Sequence, residues 1–310
     1  MFGATLKLPA FAKINLGLRV LGKRGDGYHE LETIFQAVSL HDTITLTATD
    51  KSEIVLSCDD LSLPTGAHNL VYRAAKALQD RFAPERGARI RLEKRIPTHA
   101  GLGGGSADAA VTLIGLVYLW ELSLTKEDLI GIAAELGADV PFFLFGGAAR
   151  GTGIGTDIAP LSDLPEKFLL IIKPNANIKT SEAYKSLDQR SLTSAEAKTI
   201  LASSERTEFF DNSTLEALHN DFEAVAFDLE PEIERAKITL MNAGSGSALL
   251  AGSGSAVFGI FESEDAQRRA IQTIELETGW RVFPCRTVGR DHYQNAMGQA
   301  GEILARSIGQ

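Results

Sequence analysis

The chain has 310 residues, 44% of them hydrophobic and 23% charged, with a net charge of −9; this is a globular composition with length for a sizeable core and two domains of ordinary size. The negative balance argues against a general binder of nucleic acid or of anionic membranes, while leaving room for a local basic pocket that takes a phosphorylated ligand. Cys58 and Cys285 have no metal-ligand spacing and cannot form a disulfide framework, and Lys7 and Lys13 interrupt the first apolar stretch, so a reducing cytoplasm is the expected setting.

Leu6–Val20 mixes β-formers around Lys13 and Asn15 and predicts a strand. A polar turn, Gly22-Lys23-Arg24-Gly25-Asp26-Gly27, precedes Tyr28–Leu40 and an alternating strand at Thr43–Thr49. Asn69–Phe82 has helical spacing, and Ile90, Leu92 and Ile96 alternate with charged positions in a strand that runs into the loop 97–108. Ala109–Trp120 is apolar on nearly every face, which predicts a helix buried in its domain. Thr125 and Asp128 form a capping-box pattern, Leu129, Ile132, Ala133 and Leu136 an apolar stripe, and Gly137 is a candidate C′ residue, placing Asp139 just past a helix end. Glycine-rich Ala149–Pro165 is the candidate domain boundary. Beyond it the pattern predicts a strand at Phe168–Ile172, helices between about Ser181 and Met241, and strands at Ser247–Ala251 and Ala256–Phe261. A helix at Glu264–Leu276 and a strand at Arg281–Val288 complete the pattern. The uncharged segment within Ile238–Phe261 is broken by glycines and serines and reads as strand–turn–strand rather than a membrane span. Strands and helices without regular βαβ repetition favour an α+β fold.

The loop Pro97-Thr98-His99-Ala100-Gly101-Leu102-Gly103-Gly104-Gly105-Ser106-Ala107-Asp108 carries the strongest chemical signal. Its glycines permit positive φ and remove side chains that would hold an anion off the backbone, and Ser106 opens a helix whose N-terminus favours negative charge. It has no Walker A lysine, since Gly105 is followed by Ser106-Ala107, and its glycine spacing fails the dinucleotide fingerprint. Taken alone, the loop fits a phosphate cradle and a plain strand-to-helix turn equally well.

Four further segments decide between them: Pro9-Ala10-Phe11-Ala12-Lys13-Ile14-Asn15-Leu16, Asp26-Gly27-Tyr28-His29-Glu30-Leu31, Gly137-Ala138-Asp139-Val140-Pro141, and Ala251-Gly252-Ser253-Gly254-Ser255-Ala256-Val257-Phe258. With the loop, from about Ala10 to Phe261, they closely resemble the GHMP kinase superfamily. The resemblance implies a two-domain α+β fold, with a ribosomal-protein-like N-terminal domain over residues 1–160 that binds ATP and a ferredoxin-like C-terminal domain over 161–310 that binds substrate. It implies transfer of the ATP γ-phosphate, with Mg²⁺, to the 2-hydroxyl of a cytidine-diphosphate methylerythritol. A homoserine or mevalonate type of acceptor and a non-catalytic nucleotide-binding module are the alternatives. The partner set so implied is this small molecule, with no nucleic acid and no membrane, in a monomer or weak homodimer.

By the same resemblance Asp139 accepts the hydroxyl proton, and Lys13 sits beside it to offset negative charge that develops during transfer. Pro97, Thr98, His99, Ala100, Gly101, Leu102, Gly103, Gly104, Gly105, Ser106 and Ala107 surround the triphosphate. Asn69 and Lys94 match positions used around the adenine, though in themselves they read as a helix N-cap and an exposed strand charge. Tyr28, His29 and Tyr184 hold the cytidine end, and Asn15 lies near the erythritol group. The magnesium ligands are unspecified beyond Ser106 as a phosphate or metal contact. His99 stands where the family carries a small residue and either restricts backbone approach to the phosphates or donates to them; Ala107 stands where many relatives carry a second serine.

Overall fold

Two antiparallel-rich sheets organise the chain, and the computed structural model describes residues 3–188, 218–274 and 279–303. The first sheet is built on a long hairpin, β1 (Thr5–Lys23) and β2 (His29–Thr49). β2 is continuous through the point where the sequence predicts two pieces. The register slips between Phe11 and Ala12, opposite His41 and Val38, so the polar Ser39–His41 stretch is accommodated as a bulge rather than a break. β3 (Ile54–Cys58) and β4 (Gly87–Glu93) extend the sheet beyond the C-terminal half of β2, while β5 (Ala148–Thr152) pairs along its N-terminal half and β6 (Asp157–Pro160) pairs with β5. β5 and β6 thus occupy the stretch whose glycines read as a boundary: Gly151 sits in β5 because a side chain there would strike the Phe35 ring at 2.6 Å.

The second sheet is fully antiparallel, in the order β11-β7-β10-β9, from β7 (Phe168–Lys173), β9 (Ser247–Leu250), β10 (Val257–Phe261) and β11 (Arg281–Arg286). The short β8 (His219–Asn220) returns to pair in parallel with Gly17 and Leu18 of β1. Predicted helices between Ser181 and Met241 are represented by α5 (Thr180–Asp188), α6 (Glu223–Leu229) and α7 (Pro231–Asn242); the rest of that prediction lies outside the described residues. α8 (Glu264–Ile274) packs on the second sheet and α9 (Arg290–Ala296) on β1.

Three apolar clusters hold these layers. The largest joins β1, β2 and β4 to the helices α1 (Leu70–Phe82), α2 (Gly104–Leu119), α3 (Lys126–Leu136) and α4 (Phe142–Phe145). α2 is buried along nearly its whole length, as its sequence predicts, and at Gly115 a side chain would meet Leu46 at 2.2 Å, so the glycine sets how closely α2 lies on β2. A second cluster fills the space between the second sheet and its helices. The third places Ala12, Ile14 and Leu16 of β1 against Leu169, Ile171, Leu249 and Phe258, locking the two sheets together. Each Ile, Leu or Phe among them contributes roughly 1.5–3 kcal/mol when fully buried, so the contact between the two sheets is strongly favoured. No described helix is long and apolar enough to cross a membrane.

Candidate active site

β1 forms as the strand its sequence predicts, and its side chains alternate between two faces. Ala12, Ile14 and Leu16 enter the inter-sheet core, leaving Lys13 and Asn15 on the opposite face. There the Lys13 Nζ donates to Asn15 Oδ1 at 2.8 Å, and the Asn15 amide donates to Thr33 Oγ1 at 2.7 Å. Both Lys13 and Asn15 are buried, and a buried cation is tolerated only with partners. Lys13 has the Asp139 carboxylate at 3.4 Å and the Phe35 ring face at 5.4 Å.

Asp139 is presented by the turn between α3 and α4. Thr125 and Asp128 make the reciprocal capping box at the start of α3. Gly137 ends the helix as its C-cap in an extended conformation (φ 170°), not the left-handed one a C′ glycine adopts. Val140 N–H then bonds back to the Gly137 carbonyl at 3.1 Å, fixing the turn that carries Asp139.

The glycine loop closes over this pair. Lys13 N–H donates to the Leu102 carbonyl at 3.0 Å, tying the loop to β1, while Ala256 N–H donates to the Ala100 carbonyl at 3.2 Å, tying it to the Ser253–Ser255 turn. Two glycines are required by geometry. Gly101 (φ +74°) lies so near the Ala251 carbonyl that a Cβ would approach it to 1.8 Å, and at Gly103 (φ +69°) a Cβ would meet Lys13 Cγ at 3.0 Å and the Phe143 ring at 2.8 Å. α2 begins at Gly104, two residues before the predicted opening at Ser106, because Gly103 in its left-handed conformation is the N-cap. Gly103 supplies no side-chain acceptor, so the first-turn N–H groups are left to an incoming anion.

These residues line one cleft of about 1170 Å³ running from His68 and Asn69 to the hairpin end at Tyr28. Every predicted site residue borders it except Ala107, which turns into the core and gives its N–H to the Gly103 carbonyl at 2.8 Å. Asn69 is both on the cleft and the N-cap of α1, accepting from Val71 N–H at 2.9 Å. Lys94 is no exposed strand charge: it is largely buried between Asp42 and Asp108, with Asp108 Oδ2 at 2.8 Å. Burial alone would lower the Lys94 pKa, yet the two carboxylates carry it above the ordinary lysine value, while burial pushes Asp108 up. Asp42 also accepts the N–H groups of Arg95 and Ile96, the latter at 2.8 Å, so this cluster anchors the segment entering the loop.

At the far end of the cleft Tyr28 is 62% exposed on a turn held by Asp26, which accepts the Tyr28 N–H at 3.1 Å. The His29 imidazole stacks on Tyr184 with ring centres 4.7 Å apart, and Tyr184 packs edge-on against Phe222 at 4.9 Å. Burial, reinforced by nearby Asp139, pushes the Tyr184 phenol up to about 12. Thr33, Phe35 and Asp188 border the cleft without having been singled out from sequence. Thr33 and Phe35 follow the period-two spacing of a strand facing Asn15, and Asp188 lies one helical turn after Tyr184, so the signal for each was present. Among the described residues no group of His, Cys, Asp and Glu side chains is arranged to hold a metal by itself.

An amide-rich cradle facing a lysine–aspartate pair, at the joint of two α+β units, defines a class of small-molecule phosphotransferases. The chain belongs to the GHMP kinase family. The GHMP kinases N terminal domain matches residues 69–147 and the GHMP kinases C terminal domain matches residues 202–277. The chain is similar to a 4-diphosphocytidyl-2-C-methyl-D-erythritol kinase of Solibacter usitatus, 42% identical over 89% of this chain and 87% of that one. It is also similar to a crystal structure of 4-(cytidine 5'-diphospho)-2C-methyl-D-erythritol kinase, with a TM-score of 0.76, 35% identity and coverage of 92% of this chain and 100% of that one. A homoserine kinase from Cytophaga hutchinsonii shares the fold, with a TM-score of 0.74 at 20% identity over 93% and 96% of the two chains.

Proposed function

We propose that the chain catalyses ATP-dependent phosphorylation of the 2-hydroxyl of 4-diphosphocytidyl-2-C-methyl-D-erythritol, giving the 2-phosphate and ADP. The observation that carries this reading is the Lys13–Asp139 pair, 3.4 Å apart at the floor of a cleft closed by the glycine loop, in a chain 42% identical over 89% of its length to a kinase of that name.

The acceptor hydroxyl lies between Asp139, which takes its proton, and the γ-phosphate held at the loop. Phosphoryl transfer asks mainly for positioning and charge neutralisation. Lys13 supplies a fixed positive charge, oriented by Asn15 and Phe35, and the first-turn N–H groups of α2 supply donors that need no reorganisation. The Ser106 hydroxyl is an oxygen donor of the kind Mg²⁺ accepts, and magnesium takes few protein ligands because phosphate oxygens and water complete its shell. The ion neutralises phosphate charge when bound. Asn69 and the segment beside Lys94 border the adenine end, while Tyr28, His29 and Tyr184 border the cytidine. Residues 1–160 form the nucleotide-binding unit, which also carries Asn15, Tyr28 and His29 toward the acceptor, and 161–310 complete the substrate end, in a cytoplasmic monomer or weak homodimer.

Labelled phosphate transfer from ATP tests the reading on four acceptors: the cytidine-diphosphate methylerythritol, methylerythritol phosphate without cytidine, homoserine and mevalonate. Transfer to the first, dependent on Mg²⁺, is expected. Preference for any acceptor lacking cytidine would contradict it.

A further inference from the structure

His29 is held on more than one side. Its ring face lies against Tyr184 at 4.7 Å, and its Nε2 is 2.5 Å from Asp188 Oδ1. Tyr184 and Asp188 are one turn apart on α5, so a single helix face supplies both contacts. The other carboxylate oxygen, Oδ2, accepts from Lys23 Nζ at 2.6 Å, and Lys23 faces His29 across the β1–β2 hairpin. The Lys23 and His29 hydrogen bonds hold the Asp188 carboxyl below its ordinary range.

This arrangement determines which ring nitrogen carries hydrogen. An ionised carboxylate only accepts hydrogen bonds, so the nitrogen facing it must be Nε2–H. In a neutral imidazole Nδ1 is then a lone pair, and it has no hydrogen-bond partner among the described residues. Turning the ring over would give up both the charged hydrogen bond and this assignment. With the ring neutral, a pyrimidine reaching His29 meets an acceptor at Nδ1. Cytosine offers an exocyclic amino group as donor, whereas uracil offers a carbonyl oxygen at the same position.

We propose that Asp188, steadied by Lys23, is a positioning residue that locks His29 as the Nε2–H tautomer and thereby sets the preference for cytosine over uracil in the acceptor substrate. The inference rests on the acceptor reading above and adds to it the device that selects the base. Asp188 acts through His29, so its removal loosens recognition of the base and leaves the transfer step intact.

The test compares wild type, Asp188→Ala, Asp188→Asn and Lys23→Met at about pH 8.5. Steady-state kinetics use the cytidine-diphosphate acceptor and its uridine counterpart, and nitrogen NMR reads the His29 tautomer. Asp188→Ala is expected to raise KM for the cytidine acceptor about tenfold with kcat changed less than about twofold, and to reduce the cytidine-to-uridine ratio of kcat/KM by about tenfold. Asp188→Asn keeps an oxygen that accepts from Nε2–H and recovers most of the ratio. Lys23→Met shifts it less, in the same direction, and serves if Asp188→Ala does not fold. An unchanged ratio in a wild type active on the cytidine acceptor, or His29 protonated at Nδ1, would overturn the inference. No wild-type transfer to the cytidine acceptor would overturn the acceptor reading itself.

Discussion

Two alanine substitutions in the same loop separate its structural glycines from its ligand-facing ones. At Gly101 a methyl group would stand 1.8 Å from the Ala251 carbonyl oxygen, with φ at +74°. The left-handed conformation alone costs an L-residue about 1–2 kcal/mol, and relieving an overpacked contact with backbone adds about 1–3 kcal/mol. Gly101→Ala is therefore destabilised by about 2–5 kcal/mol, which lowers the unfolding temperature by about 3–8 °C for a chain of this size. At Gly105 the same methyl meets only Leu70 Cδ1, at 3.6 Å. That site lies in the first turn of α2, where alanine is favoured over glycine by up to about 1 kcal/mol. Gly105→Ala is thus expected to keep or raise the unfolding temperature while raising KM for ATP about tenfold or more, because the methyl stands where phosphate approaches the backbone. Thermal unfolding by circular dichroism, together with ATP-dependent kinetics, reads both effects. A Gly105→Ala enzyme with unchanged ATP affinity would refute the cradle at that position, and an undisturbed Gly101→Ala would refute the packing argument.

His99 occupies a left-handed conformation (φ 52°) on the exposed rim of the loop. His99→Gly removes that strain and the side chain together, so it should gain about 0.5–1 kcal/mol in chemical denaturation and bind ATP more tightly; weaker binding would identify His99 as a phosphate donor instead. Lys94→Met leaves Asp42 and Asp108 buried without their cation and should cost about 3–5 kcal/mol in urea unfolding, whereas a lysine acting only on nucleotide would leave stability unchanged. The Tyr184 phenol is raised from 10.0 to about 12, so its neutral form contributes stability fully present below pH 10 that is lost as pH rises toward 12. Alkaline unfolding and phenolate absorbance should both show this, with Tyr184→Phe less alkali-sensitive; a tyrosine that titrates at its ordinary value in the difference between the two proteins would contradict it.

Much of the site could be read from the sequence because its signals are local. The β-formers around Lys13 and Asn15 marked β1 as a strand, and the Thr125–Asp128 capping box framed the turn that carries Asp139. The helix start at Gly104 was read two residues late because a glycine at N1 looks like loop until the left-handed N-cap before it is known. β3, β5 and β6 went unread: each is five residues or fewer and takes its conformation from a longer neighbour. Contacts between distant residues left no local trace. Lys94 meets Asp42 across a separation of 52 residues and His29 meets Asp188 across 159, so a strand charge and a helix-end aspartate became legible only once the fold brought their partners to them. Tyr184, expected to face the cytidine, is already stacked on His29, which ties the two residues into one aromatic pair.

The most direct test of the account is single-turnover phosphoryl transfer by Asp139→Asn at saturating ATP and acceptor, with unfolding temperature and ATP binding measured on the same sample. A carboxylate that takes the hydroxyl proton is worth roughly 10²–10⁴ in rate. The account predicts a loss of that size with stability and ATP binding unchanged, since Asp139 is 35% exposed at its side chain and Lys13 keeps its bond to Asn15. An Asp139→Asn enzyme that transfers phosphate at the wild-type rate would contradict it.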